Sequence, residues 1–156
     1  MTELVVIHGI SLPPGCYGGP EIEALFTNTL DPDAHPYFAK ISALEVSAHF
    51  LIRRTGEVVQ CVSTDARAWH AGVSCWQGRE QCNDFSIGIE LEGCDDEAYT
   101  DAQYDTLNQL LAVLTKQYPH IRHDAIVGHS DIAPGRKTDP GPAFDWSRVV
   151  ASQSQQ

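Results

Sequence analysis

The chain has 156 residues, 42% hydrophobic and 20% charged, enough for one buried core and typical of a globular domain. A formal net charge of −11 argues against a nucleic-acid backbone or an anionic membrane as partner, while a local group of Arg and Lys could still hold a small anion. No apolar run approaches the roughly 18 residues of a membrane span, and the start MTELVVIHG lacks the basic region and apolar core of a secretory leader.

LVVIH, residues 4–8, is a short β-branched run and predicts a buried strand. SLPPGCYGGP (11–20) is a loop, and Pro20 suits the first turn of a helix whose apolar residues Ile22, Leu25, Phe26 and Leu30 fall at helical spacing. DPDAHPYF reads as loop again. HFLIRRTGEVVQCV (49–62) predicts a hairpin around Thr55-Gly56-Glu57. FSIGIELEG (85–93) predicts a strand with Phe85, Ile87, Ile89 and Leu91 on one face and Ser86, Gly88, Glu90 and Glu92 on the other. Thr100 and Gln103 form a capping box, and Tyr104, Leu107, Leu111 and Leu114 follow at helical spacing until Tyr118-Pro119 ends the helix. IVGH (126–129) is a short strand leading into GHSDIAPGRKTDPGP, which Pro and Gly mark as a loop. A last helix is expected over 144–150, with the tail frayed from about 151. No repeat or linker divides the chain, so a single α/β domain over 1–156 is expected, with a sheet packed by helices.

Five cysteines with no C-x-x-C pair fit neither a disulfide scaffold nor a zinc finger, and predict reduced thiols in a cytoplasmic protein. In the loop, His129 and Asp139 have the donor atoms of zinc ligands, and a catalytic zinc needs about three protein ligands. His8 offers the third, at a strand end, where α/β sheets place their sites. The long separation of His8 from the other two carries no spacing signature, and a hydrogen-bonded structural histidine is the competing reading. Glu90 is a candidate general base if shielded, or a solvated residue if that face is open. Lys137 either stabilises an oxyanion or is a surface lysine. His49 and His70 read as structural or pocket-lining, and His35, His120 and His123 as surface residues. Arg53, Arg67, Arg79, Arg136 and Lys137 are the cations that could meet substrate carboxylates.

The stretches VVIHGISLPPG, DPDAHPYF, VSAHFLIRRTGEVVQCV, RAWHAGVS, GREQCNDFSIGIELEG, YTDAQY and GHSDIAPGRKTDPGPAFDW span nearly the whole chain. They closely resemble the zinc-dependent N-acetylmuramoyl-L-alanine amidases, a family that includes phage lysozyme-like amidases and peptidoglycan recognition proteins. The nearest resemblance is to its 1,6-anhydro-N-acetylmuramoyl-L-alanine amidase branch. The resemblance implies a central mixed β-sheet flanked by helices, with one zinc at the strand ends on His8, His129 and Asp139. Glu90 would be the acid/base residue and Lys137 the family's loop lysine. The implied reaction is hydrolysis of the amide between the lactyl group of anhydro-muramic acid and L-Ala during cell-wall recycling. The implied partner is an anhydro-muropeptide, with no nucleic acid or membrane, and the enzyme would be a cytoplasmic monomer. Gly9, His70 and Arg79 are expected at the substrate. Gly9 and Gln81 stand where the family pattern has Asn and Arg. A binding module that does not cut, and an amidase of the intact wall, are the alternatives.

Overall fold

The computed structural model describes residues 1–150. The tail expected to fray from about 151 lies outside them. Its strands are β1 (Leu4–Ile10), β2 (Phe50–Ile52), β3 (Val58–Gln60), β4 (Cys75–Trp76), β5 (Arg79–Glu80), β6 (Ser86–Glu92) and β7 (Ile126–Gly128). Its helices are α1 (Glu21–Phe26), α2 (Pro36–Ile41), α3 (Asp101–Gln117) and α4 (His129–Ile132). The main sheet has the order β3-β2-β6-β1-β7 and is mixed: β2, β6, β1 and β7 are parallel, and β3 pairs antiparallel with β2 at one edge. β4 and β5 form a separate two-stranded hairpin.

β1 pairs on both edges, which is why LVVIH is a continuous apolar run: Leu4, Val5, Val6 and Ile7 are all fully buried. β6 is buried along its whole length for the same reason. The solvated face that alternation offered for Ser86, Gly88, Glu90 and Glu92 therefore does not exist. Glu92 is ion-paired with Arg53 and accepts from the backbone N–H of Gly18 and of Arg54, which ties the 11–20 loop to the sheet.

On one side, Ile87, Ile89, Leu91 and Phe50 share a core with Tyr104, Leu107, Leu111 and Leu114 of α3. Thr100 and Gln103 complete the capping box, and the Gln103 amide also donates to the carbonyls of Ile52 and Glu92, fixing the helix to the sheet. Truncating Leu107, which is fully buried, costs about 2–5 kcal/mol. Leu51, Leu12, Ile22, Leu25, Phe26 and Phe38 form a second cluster that seats α1 and α2.

Three local readings change. DPDAHPYF is not all loop: His35 caps α2 by accepting the Tyr37 N–H, and Pro36 starts the helix, where its missing donor costs nothing. The loop after β7 opens with the single helical turn α4. The final helix shrinks to a short 3-10 turn, Trp146–Arg148.

Candidate metal centre

His8 lies on β1 and pairs in register with Glu90 of β6, while His129 directly follows β7. These strands are parallel, so all three residues are delivered toward the carboxyl ends of the sheet. Asp139 arrives from the loop after α4, whose backbone is held by the Ser130 N–H donating to the Asp139 carbonyl. Tyr99 secures the next residue by donating its hydroxyl to the Pro140 carbonyl, 2.9 Å away.

The result is a cluster of three donor groups. Nδ1 of His8 stands 3.0 Å from Nδ1 of His129 and 3.2 Å from Asp139 Oδ2, and His129 Nδ1 is 3.2 Å from the same carboxylate oxygen. Two donors about 2.0–2.1 Å from one tetrahedral ion stand about 3.3 Å apart, so the spacing suits a small cation such as zinc. Among the described residues this is the one cluster of His, Cys or acidic groups able to hold a metal ion. Burial pushes the pKa of His8 down to about 4, against the pull of Asp139, and so keeps the ring in its neutral, ligating form. Burial would raise the pKa of Asp139, but the imidazoles of His129 and His8 beside its carboxylate outweigh that and hold the group below the ordinary carboxylate range. The donor set is thus two neutral imidazoles and one carboxylate.

Glu90 sits beside this cluster, its Oε1 3.8 Å from His8 Nδ1, and is only 7% exposed. Burial raises its pKa well above the usual range, the charge of Asp139 adds to the rise, and Lys137 opposes it. Its Oε2 has no hydrogen-bond partner among the described residues.

A cleft of about 550 Å³ opens over these groups, lined by His8, Gly9, Glu90, His129, Lys137 and Asp139 and walled by apolar residues of α1, α2 and the 44–46 segment. A second, of about 470 Å³, shares Val46, Trp69, His70, His129 and Lys137 with the first. The two clefts meet at His129 and Lys137, beside the cluster.

Gly9 lines the first cleft, its N–H donating to Asp139 Oδ2 at 3.4 Å, and a Cβ here would fall 2.3 Å from the Tyr99 hydroxyl. His70 touches both clefts but is buried, with both ring nitrogens bonded inside the protein. Arg79 is elsewhere: it sits on β5, ion-paired with Glu3 and stacked on Phe85. Arg53 is paired with Glu23 and Glu92, and Arg67 with Asp84. Of the other histidines, His49 is buried, His35 and His123 are half-buried, and His120 is exposed. Asn83 and Tyr99 were not among the residues singled out by pattern; an Asn before a strand reads as a turn residue, and a Tyr before a helix cap as core.

A family model described as N-acetylmuramoyl-L-alanine amidase matches residues 2–142. The AmpD protein of Enterobacter cloacae, a 1,6-anhydro-N-acetylmuramyl-L-alanine amidase, is 68% identical to this chain, over 95% of this chain and 79% of its own length. A crystal structure of a selenomethionine derivative of AmpD superposes with a TM-score of 0.94 at 64% identity, covering 97% of this chain and 84% of that one. The Escherichia coli amidase AmiD, in complex with the substrate anhydro-N-acetylmuramic acid-L-Ala-D-gamma-Glu-L-Lys, superposes with a TM-score of 0.70 at 30% identity, covering 97% of this chain and 57% of that one.

Proposed function

The chain belongs to the N-acetylmuramoyl-L-alanine amidase family, and on that premise we propose that it hydrolyses 1,6-anhydro-N-acetylmuramoyl-L-alanine peptides with the help of one zinc ion. The bond cut joins the lactyl carbonyl of the anhydro-sugar to the amine of L-Ala. The observation that carries this reading is the convergence of His8, His129 and Asp139 beside a buried carboxylate with one oxygen unpartnered among the described residues, at the junction of two clefts. Clefts on either side of the cluster suit a substrate with an arm on each side of the scissile bond: a sugar on one, a peptide on the other.

His8 Nδ1, His129 Nδ1 and an Asp139 oxygen are the atoms that would hold the metal. Bound there, zinc supplies Lewis-acid chemistry, polarising the amide carbonyl and making water a competent nucleophile near neutral pH. Glu90 takes a proton from water as its oxygen attacks the lactyl carbonyl, and returns that proton to the leaving nitrogen of L-Ala when the C–N bond breaks. Its raised proton affinity suits a group that must hold that proton between the two steps. Lys137, lining both clefts, donates to the oxygen that gains charge during attack. All these groups come from one chain, which fits a monomer. We place the reaction in the cytoplasm, in the recycling of wall fragments; the five unpaired cysteines suit a reducing compartment.

The test is a paired assay on zinc-loaded protein with anhydro-muramoyl-tripeptide and the same compound carrying an ordinary reducing-end muramic acid, with freed peptide measured by mass spectrometry. Preferential cleavage of the anhydro form is expected. Equal cleavage would move the enzyme toward the intact wall. Cleavage of neither, with zinc bound, would leave a recognition module and remove the catalytic reading.

A further inference from the structure

His70 was expected to meet substrate, but its side chain has no capacity to spare. Its Nδ1 is 3.0 Å from His8 Nε2, and its Nε2 is 3.1 Å from the Ser86 hydroxyl. On the other side of the cluster, His129 Nε2 is 2.9 Å from the Ala71 carbonyl. A carbonyl only accepts, so His129 carries its proton on Nε2 and turns the Nδ1 lone pair toward His8 and Asp139. The same logic orders the other side. If His8 is to present a lone pair at Nδ1, its proton lies on Nε2 and goes to His70 Nδ1, and His70 in turn donates from Nε2 to Ser86.

Both candidate histidine ligands are therefore held from behind by consecutive residues, through the ring of residue 70 and the carbonyl of residue 71. The pair has its own clamp. The side-chain oxygen of Asn83, itself buried, accepts from the N–H of His70 at 3.1 Å and of Ala71 at 2.9 Å. Arg136 adds a donor to the Ala71 carbonyl at 2.7 Å. The His70 ring packs against Gly88, where a Cβ would stand 2.4 Å from its Cγ.

We infer that the His70–Ala71 pair, clamped by Asn83, is the positioning element of the metal centre, with His70 fixing which nitrogen His8 offers to the metal. The inference rests on the zinc reading above. A partner behind a ligating imidazole sets its tautomer and ring orientation, and losing one typically weakens metal binding about 10- to 100-fold.

The test reads metal affinity, not turnover. Zinc dissociation constants are measured by competition with a chromophoric chelator for the wild type, His70→Leu, His70→Gln and Asp139→Ala, with the unfolding midpoint of each metal-free protein recorded beside them. Leucine fills similar space without an acceptor; glutamine can still accept from His8 and donate to Ser86. The expected result is about 10- to 100-fold weaker zinc in His70→Leu, recovery of most of that loss in His70→Gln, and no parallel ordering of the unfolding midpoints. Wild-type affinity in His70→Leu, or equal weakness in both variants, would overturn the inference and leave the zinc reading standing. Failure of the wild type to bind zinc, or undiminished binding in Asp139→Ala, would overturn the metal site and the inference with it.

Discussion

Glu90 and His8 are register partners on adjacent parallel strands, and their side chains meet 3.8 Å apart on the face that carries the cleft. A carboxylate buried with one oxygen unpartnered is costly to the fold, and sites that hold such groups give up stability for chemistry. Replacing it with the neutral isostere should relieve that cost. The metal-free Glu90→Gln protein is expected to unfold at the same or higher denaturant concentration than wild type. A fall of more than about 1 kcal/mol would mean that the carboxylate supports the fold instead.

Lys137 has a narrower role. Lys137→Met removes the charge and keeps the aliphatic stem. The variant should lose about a hundredfold in kcat, the scale of one oxyanion donor, with zinc affinity and unfolding midpoint unchanged. Steady-state kinetics beside a metal titration check this; an unchanged kcat would return Lys137 to an ordinary surface lysine.

Gly88 is expected to be intolerant of even one methyl group. Its missing Cβ makes room for the His70 ring. Gly88→Ala should cost about 1–3 kcal/mol by crowding the core and should also weaken zinc at least tenfold by moving that ring off His8. Chemical denaturation and chelator competition on the same preparation separate the two effects. A variant that lost neither would show that the ring has slack.

His49 supplies a pH dependence of the fold. It donates from Nε2 to the Ala66 carbonyl at 2.8 Å and accepts the Gly88 N–H on Nδ1 at 3.0 Å, so only its neutral form fits. Burial lowers its pKa in the folded protein, against the pull of the Ala66 carbonyl, while in the unfolded chain it titrates near about 6.5. The unfolded state thus gains a proton first as the pH falls, and the stability of the site is present above about 6.5 and eroded below it. Urea midpoints at pH 7 and 5 should fall more steeply for wild type than for His49→Gln, which takes up no proton there. Equal slopes would remove His49 from the acid response.

Much of the fold was legible in the chain. LVVIH, the 49–62 hairpin, the strand ending in IELEG and the capped α3 each carried a local signal, of burial, turn chemistry or period, that tertiary packing then reinforced. α4, β4 and β5 were not legible, since strands of two residues hold no period and α4 is a single turn at the head of a run that Gly and Pro mark as loop. The donor atoms of the cluster were recognisable by type, but His8 lies 121 residues from His129 and 131 from Asp139. The pairing of β1 with β7 brings His8 to His129, and the loop held by the Ser130–Asp139 backbone bond brings in Asp139. Glu90 was ambiguous because strand alternation cannot tell a face open to water from one roofed by a cleft. The place of His70 depended on the empty space at Gly88 and the grip of Asn83, and neither leaves a pattern in sequence.

The most direct measurement takes wild type, Glu90→Gln and Asp139→Ala, with zinc content and hydrolysis of anhydro-muramoyl-tripeptide read in the same samples. The assignment of roles predicts one zinc per chain and rapid cleavage in wild type, one zinc and almost no cleavage in Glu90→Gln, and neither in Asp139→Ala. Substantial turnover by zinc-loaded Glu90→Gln would contradict it, because the proton would then be carried by some other group.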